Sequence, residues 1–118
     1  MATGSREVWA KRVAQWAIVR VRRSDGAVLM RRRAAQAVNA GQWEVPLHAP
    51  ATAPPPGTRP LGKVRHAILD TTYDVEAFLA AGPGRAARAP DRWVTAEDLD
   101  DLHVTTLTRK LLRLVERA

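Results

Sequence analysis

Six prolines fall between residues 46 and 60 (Pro46, Pro50, Pro54, Pro55, Pro56 and Pro60), and no α-helix persists through such a stretch. Proline has no backbone N–H to donate, and its ring clashes with the carbonyl one turn earlier. With Ala, Thr and Gly57 filling the gaps, the segment reads as a loop of partly polyproline character. Regular structure must therefore lie on either side of it. At 118 residues the chain has ordinary single-domain size, so the two flanks must share one core. Residues 1–13 read as a basic N-terminal lead or linker and residues 14–118 as the domain.

The N-terminal flank alternates with the period of a strand. Over residues 14–22, Ala17, Val19 and Val21 fall on one face, and Trp16, Ile18, Arg20 and Arg22 on the other. Ser24-Asp25-Gly26 is turn chemistry, and residues 27–33 resume β-like residues that end in Arg31, Arg32 and Arg33, so a hairpin is expected. Gly41-Gln42-Trp43-Glu44-Val45-Pro46 follows as a compact motif. Beyond the loop, residues 61–68 and 72–79 are β-like, joined at Leu69-Asp70-Thr71 either as a second hairpin or as one long bent strand. Gly82-Pro83-Gly84 breaks the chain, a short basic loop carries Arg85 and Arg88, and Arg92-Trp93-Val94 reads as a last short strand. Thr95 with Asp98 three residues on predicts a capped acidic turn through Leu102. Residues 106–117 place Leu107, Leu111, Leu114 and Val115 on one side of a terminal helix.

Several chemistries are disfavoured. The chain has no cysteine, and His48, His66 and His103 have no short ligand spacing, so neither a zinc site nor any cofactor is expected. No apolar run nears the roughly 18 residues of a membrane span, and no signal-peptide core follows the first basic residues, so a cytoplasmic protein without a membrane partner is expected. The net charge of +7 resides in residues 1–33, where nine Lys/Arg face two acids; the remainder holds ten of each. Such placement favours a polyanionic partner, nucleic acid first, against the alternative of a solvated Arg-rich surface. Arg20, Arg22, Arg31, Arg32, Arg33, Lys63, Arg65 and His66 are the candidate DNA contacts. One arginine of the 31–33 run is free to brace Glu44 or the acidic turn. His66 also reads as a strand histidine satisfied by a backbone carbonyl. Trp16, Trp43 and Trp93 read as packing residues before base-stacking platforms. Glu97, Asp98, Asp100 and Asp101 spread around a short turn and read as a solvated cap, not a metal site.

The order of these pieces resembles the Nudix fold. Gly26-Ala27-Val28-Leu29-Met30-Arg31-Arg32, the Gly41–Pro46 motif, Val64-Arg65-His66-Ala67-Ile68, Arg92-Trp93-Val94 and Arg109-Lys110-Leu111-Leu112 carry the likeness, which covers nearly the whole chain from about residue 14. Within that fold the sequence is similar to the C-terminal domain of MutY-type A/G-specific adenine glycosylases. The resemblance implies an α+β class (α/β in the broad sense), with a mixed sheet and a C-terminal helix. Nudix hydrolases hold divalent metal on the carboxylates of a helical R-E-x-x-E-E segment. Here residues 45–69 contain no Asp or Glu, and the Pro-rich loop stands where that helix would be. The expected domain is thus noncatalytic by itself, with a degenerate Nudix box and no catalytic residues.

The family implies DNA binding and lesion recognition in base excision repair, with 8-oxoguanine opposite adenine read by a Phe-Ser/Thr-His loop after a strand histidine. His66 matches that histidine, whereas Ile68, Leu69 and Asp70 stand at the loop positions, without the aromatic wedge and with an added carboxylate. The implied partners are duplex DNA, including duplex with oxidised guanine, and a glycosylase catalytic domain; both an excised domain and a stand-alone relative fit. Two other readings compete. One is a divergent nucleotide pyrophosphatase with metal relocated to Glu44, Asp70 and Asp74. The other is a protein-interaction domain using the loop at residues 51–56.

Overall fold

The structure, a computed structural model, describes residues 11–118, and whatever the sequence indicates for residues 1–10 lies outside it. Seven strands form one mixed sheet: β1 (Lys11–Arg22), β2 (Val28–Arg32), β3 (Trp43–Glu44), β4 (Leu47–His48), β5 (Arg59–Ile68), β6 (Thr71–Gly82) and β7 (Asp91–Val94). A 3-10 turn at Asp98–Asp100 and one helix, α1 (Thr106–Arg117), complete it. The main path runs β3-β2-β1-β6-β5, with β4 joined to β1 and β7 to β2. No helix among the described residues is long and apolar enough to cross a membrane.

The centre of the sheet is the parallel pairing of β1 with β6, in register from Lys11 opposite Thr71 to Arg22 opposite Gly82. The alternation read in β1 holds: Ala17 and Val19 are buried on the inner face with Val75 and Ala77. Lys11–Val13, placed in the basic lead by sequence, belong to β1 and pair with Thr71–Tyr73. On the inner face, α1 closes the core with Leu107 and Leu111 against Val28, Met30 and Val94. The outer face has its own apolar pair, Trp16 edge-on to Phe78 with ring centroids 4.9 Å apart.

Residues 59–82 form a hairpin, which settles the choice between hairpin and bent strand. The Pro-rich loop is shorter than the proline spacing indicates, because β4 pairs Leu47–His48 with Trp16–Ala17 and β5 already includes Pro60. Pro60 is tolerated there because β5 is an edge strand paired only with β6 and its register shifts between Pro60 and Gly62. No helix lies between β4 and β5.

Two short networks fix the Gly41–Pro46 motif. The Trp43 N–H donates to the His103 carbonyl (2.8 Å), and the Thr105 N–H donates to the Trp43 carbonyl (3.0 Å). Thr105 then caps α1 by accepting from the Thr108 N–H, and the fully buried Thr108 hydroxyl accepts from the Val45 N–H at 3.0 Å. The predicted Thr95/Asp98 box also forms, each residue's side chain accepting from the other's backbone N–H. Replacing Thr108 by Val keeps the shape but strands the buried Val45 donor. That substitution is expected to lower stability by about 1–3 kcal/mol in urea unfolding, and Thr108→Ser by less.

Candidate nucleic-acid interface

The β5–β6 hairpin turns at Leu69, whose φ of +55° places a leucine in the left-handed region. Its side chain is 90% exposed. The turn is held by the Lys11 N–H donating to the Asp70 carbonyl (2.9 Å) and by the Thr71 hydroxyl donating to the Asp70 carboxylate (3.2 Å). Beside the tip lies a cleft of about 510 Å³ lined by His66, Ile68, Asp70, Tyr73, Gln15, Glu44 and Arg33, among others. The strand histidine and all three loop positions singled out by sequence therefore meet at one cavity.

Of these, His66 is held from α1: Lys110 Nζ donates to its Nδ1 (3.0 Å) and also to the Arg65 carbonyl (3.2 Å). His66 is thus satisfied by a lysine on α1, which corrects the expected backbone carbonyl; the sequence gives no sign that α1 reaches this strand. With Nδ1 accepting, the neutral ring keeps its proton on Nε2. Burial first and the Lys110 charge second hold the ring's pKa below the ordinary 6.5. Gln15 is a second residue missed by the sequence reading. Its Oε1 is buried with no hydrogen-bond partner, an acceptor that a donor entering the cleft would satisfy. The available signal was a lone amide on the inward-facing register of β1, between Val13 and Ala17.

The basic residues divide into paired and unpaired groups. Arg33 meets Glu44 at 2.7 Å, the bracing anticipated for one arginine of the run, and Arg31 meets Asp91 at 3.1 Å. Arg32 donates to the Gly41 carbonyl (3.3 Å). Arg22 meets Asp25 at 2.7 Å, and Arg65 shares Asp74 with Arg12 at 3.0 and 2.9 Å. Arg20 and Lys63 are exposed and make no ion pair among the described residues. The positive excess of residues 1–33 is thus partly offset by acids from later in the chain. The eight candidates also do not share one surface. Arg33, Arg65 and His66 lie toward the β5–β6 tip, Arg31, Arg32 and Lys63 nearer mid-sheet, and Arg20 and Arg22 toward the far end of β1.

The relocated metal site does not assemble. Glu44 and Asp70 line the cleft, but Glu44 is held by Arg33, and Asp74 sits on the opposite face of β6 from Tyr73 with two guanidiniums on it. No group of three or more His, Asp or Glu among the described residues is placed to hold a metal ion. Hydrogen bonds from Arg12 and then Arg65 depress the Asp74 pKa, the Arg22 hydrogen bond lowers Asp25 to about 2, and the Thr95 N–H lowers Asp98.

No family model matches the sequence, and no curated protein matches it significantly. Solved structures do share the fold. The C-terminal domain of mouse MUTYH, in complex with human PCNA, superposes with a TM-score of 0.67 at 23% identity, over 88% of this chain and 87% of that one. The Nudix domain of Shewanella oneidensis NrtR, complexed with ADP ribose, gives 0.74 at 11% identity over 94% and 90%. MutT protein from Methanosarcina mazei Go1 gives 0.66 at 13% over 92% and 96%. At these identities the likeness is one of fold, and the chain has a Nudix-like fold: a mixed sheet with one C-terminal helix.

Two titrations check the electrostatics. A folded His66 pKa below the unfolded value means that its contribution to stability is present above pH 6.5 and is lost as pH falls toward the folded value. Proton NMR should show that depressed midpoint, and Lys110→Met should move it part of the way back up. The lowered carboxylates contribute stability above the ordinary 3.8 that is lost as pH falls through their folded values, to about 2 for Asp25. Asp25→Asn should therefore flatten the acid limb of the unfolding curve.

Proposed function

We propose that this domain binds duplex DNA at the β5–β6 tip and reads a base there without catalysing a reaction. The observation that carries the reading is the exposed Leu69, presented on a left-handed turn at the lip of a cleft bearing polar groups. An apolar side chain at such a tip suits insertion at a base step, which unstacks the bases at a cost of a few kcal/mol repaid by added contacts. His66 Nε2–H, the unpartnered Gln15 acceptor and Tyr73 then supply hydrogen-bonding groups for a base turned into the cleft. Arg32, Lys63 and Arg65 supply phosphate contacts, which fix position and carry no sequence information. Fold similarity to a Nudix domain seen with ADP ribose supports nucleotide-type ligands. A role in base excision repair beside a glycosylase catalytic domain, with preference for oxidised guanine, is the specific form of this proposal.

Binding of the whole chain to duplex DNA, with and without an 8-oxoguanine·adenine pair, tests it across a salt series. Affinity should fall linearly on a log-log salt plot, and neutralising Arg32 and Lys63 together should reduce the slope by about two. Leu69→Ala should weaken binding roughly tenfold by removing the wedge, since base unstacking and stacking contacts are worth a few kcal/mol. Tighter binding to the lesion duplex would establish base reading. Binding that ignores salt, or that Leu69→Ala leaves unchanged, would sink the proposed mode.

A further inference from the structure

At the end of the sheet away from the tip, the strand ends and the loop after β6 enclose a second cleft of about 740 Å³. It lies roughly 36 Å along β6 from Thr71, counting about 3.3 Å per strand residue. Trp93 holds the loop in place: its indole Nε1 donates to the Arg85 carbonyl at 2.6 Å. The Arg22 guanidinium lies 5.2 Å from the Trp93 ring centroid and is itself tied to Asp25. Gly84, at φ +81°, passes so close that a Cβ there would sit 2.7 Å from the Arg22 side chain.

Three arginines, Arg20, Arg85 and Arg88, line this cleft, and none has an ion-pair partner among the described residues. Its one carboxylate, Asp91, is engaged by Arg31 at 3.1 Å. Like charges gathered without a counter-charge repel, and an entering anion relieves that repulsion with charge-assisted hydrogen bonds. The cleft is not purely ionic, because Val21, Leu29 and Trp93 also line it. Its occupant therefore needs anionic groups joined to a flat or apolar body, and the volume lies within the range of small-molecule sites.

We propose that this cleft binds a nucleoside phosphate, with phosphates on Arg20, Arg85 and Arg88 and the base against Trp93. A free nucleotide and the end of an unpaired nucleic-acid strand present the same chemistry. The site is independent of duplex binding at the β5–β6 tip.

The test follows the Trp93 indole N–H of the full chain by ¹H–¹⁵N NMR during titration with ADP and, separately, with a short oligothymidylate, at about 50 mM salt, where phosphate contacts are strong. A shift with ADP supports the site and identifies a free nucleotide as sufficient; a shift with the oligonucleotide alone supports it and identifies a strand. No shift with either probe at roughly millimolar concentration, the 1 mM end of the affinity scale, overturns it. Arg85→Glu with Arg88→Glu, both on an exposed loop, should keep the wild-type melting curve and weaken binding at least tenfold, the equivalent of roughly 1.4 kcal/mol. Leu69→Ala should leave it unchanged. Wild-type affinity in the charge-reversed variant would also overturn the proposal.

Discussion

The parallel pairing of β1 and β6 is the constraint on which the other elements depend. Parallel neighbours cannot be joined by a tight turn, so everything from β2 to β5 must be accommodated in the excursion between them. Because β4 pairs with β1 and β5 with the far side of β6, residues 49–58 have to cross the central pair to reach β5. A short, proline-laden connection makes that crossing, tied internally by the Thr58 hydroxyl donating to the Pro55 carbonyl at 2.6 Å. No helix stands in that path between β4 and β5.

The same pairing sets which side chains can meet. Inward positions of both strands fall opposite one another, so Ala17, Val19, Val75 and Ala77 form the floor on which α1 rests. Outward positions bring Arg12 beside Asp74 and Trp16 onto Phe78. The helix contributes more than cover. From its first turn Thr108 orders Val45, and from its middle Lys110 orders His66, so one element braces the Trp43–Val45 segment and the strand that enters the hairpin tip.

Much of the architecture was legible from local rules: the period of two in β1, the Ser24–Gly26 turn, the Thr95/Asp98 box and the amphipathic spacing of Leu107 and Leu111. Element ends were less legible, since the pairing of Lys11–Val13 within β1 depends on a partner strand sixty residues away. The candidate site divided in the same way. His66 and the Ile68–Asp70 turn could be located by their order along the chain. Gln15 and Lys110 could not, because each acquires its place through a contact that no local pattern encodes. The arginines show the limit of counting charge by segment. Glu44, Asp74 and Asp91 are remote in sequence from Arg33, Arg12 and Arg31 and adjacent in space, so a concentration of charge along the chain becomes a dispersed pattern on the surface.

Leu69 places local stability and surface chemistry in opposition. A β-carbon in the left-handed region costs about 1–2 kcal/mol, and glycine or asparagine would relieve it. A 90% exposed leucine recovers little of that by burial. Selection for thermal resilience alone would therefore drift toward a small residue at this turn and blunt it. The hairpin end is a position where a more stable protein and a more capable one have different sequences.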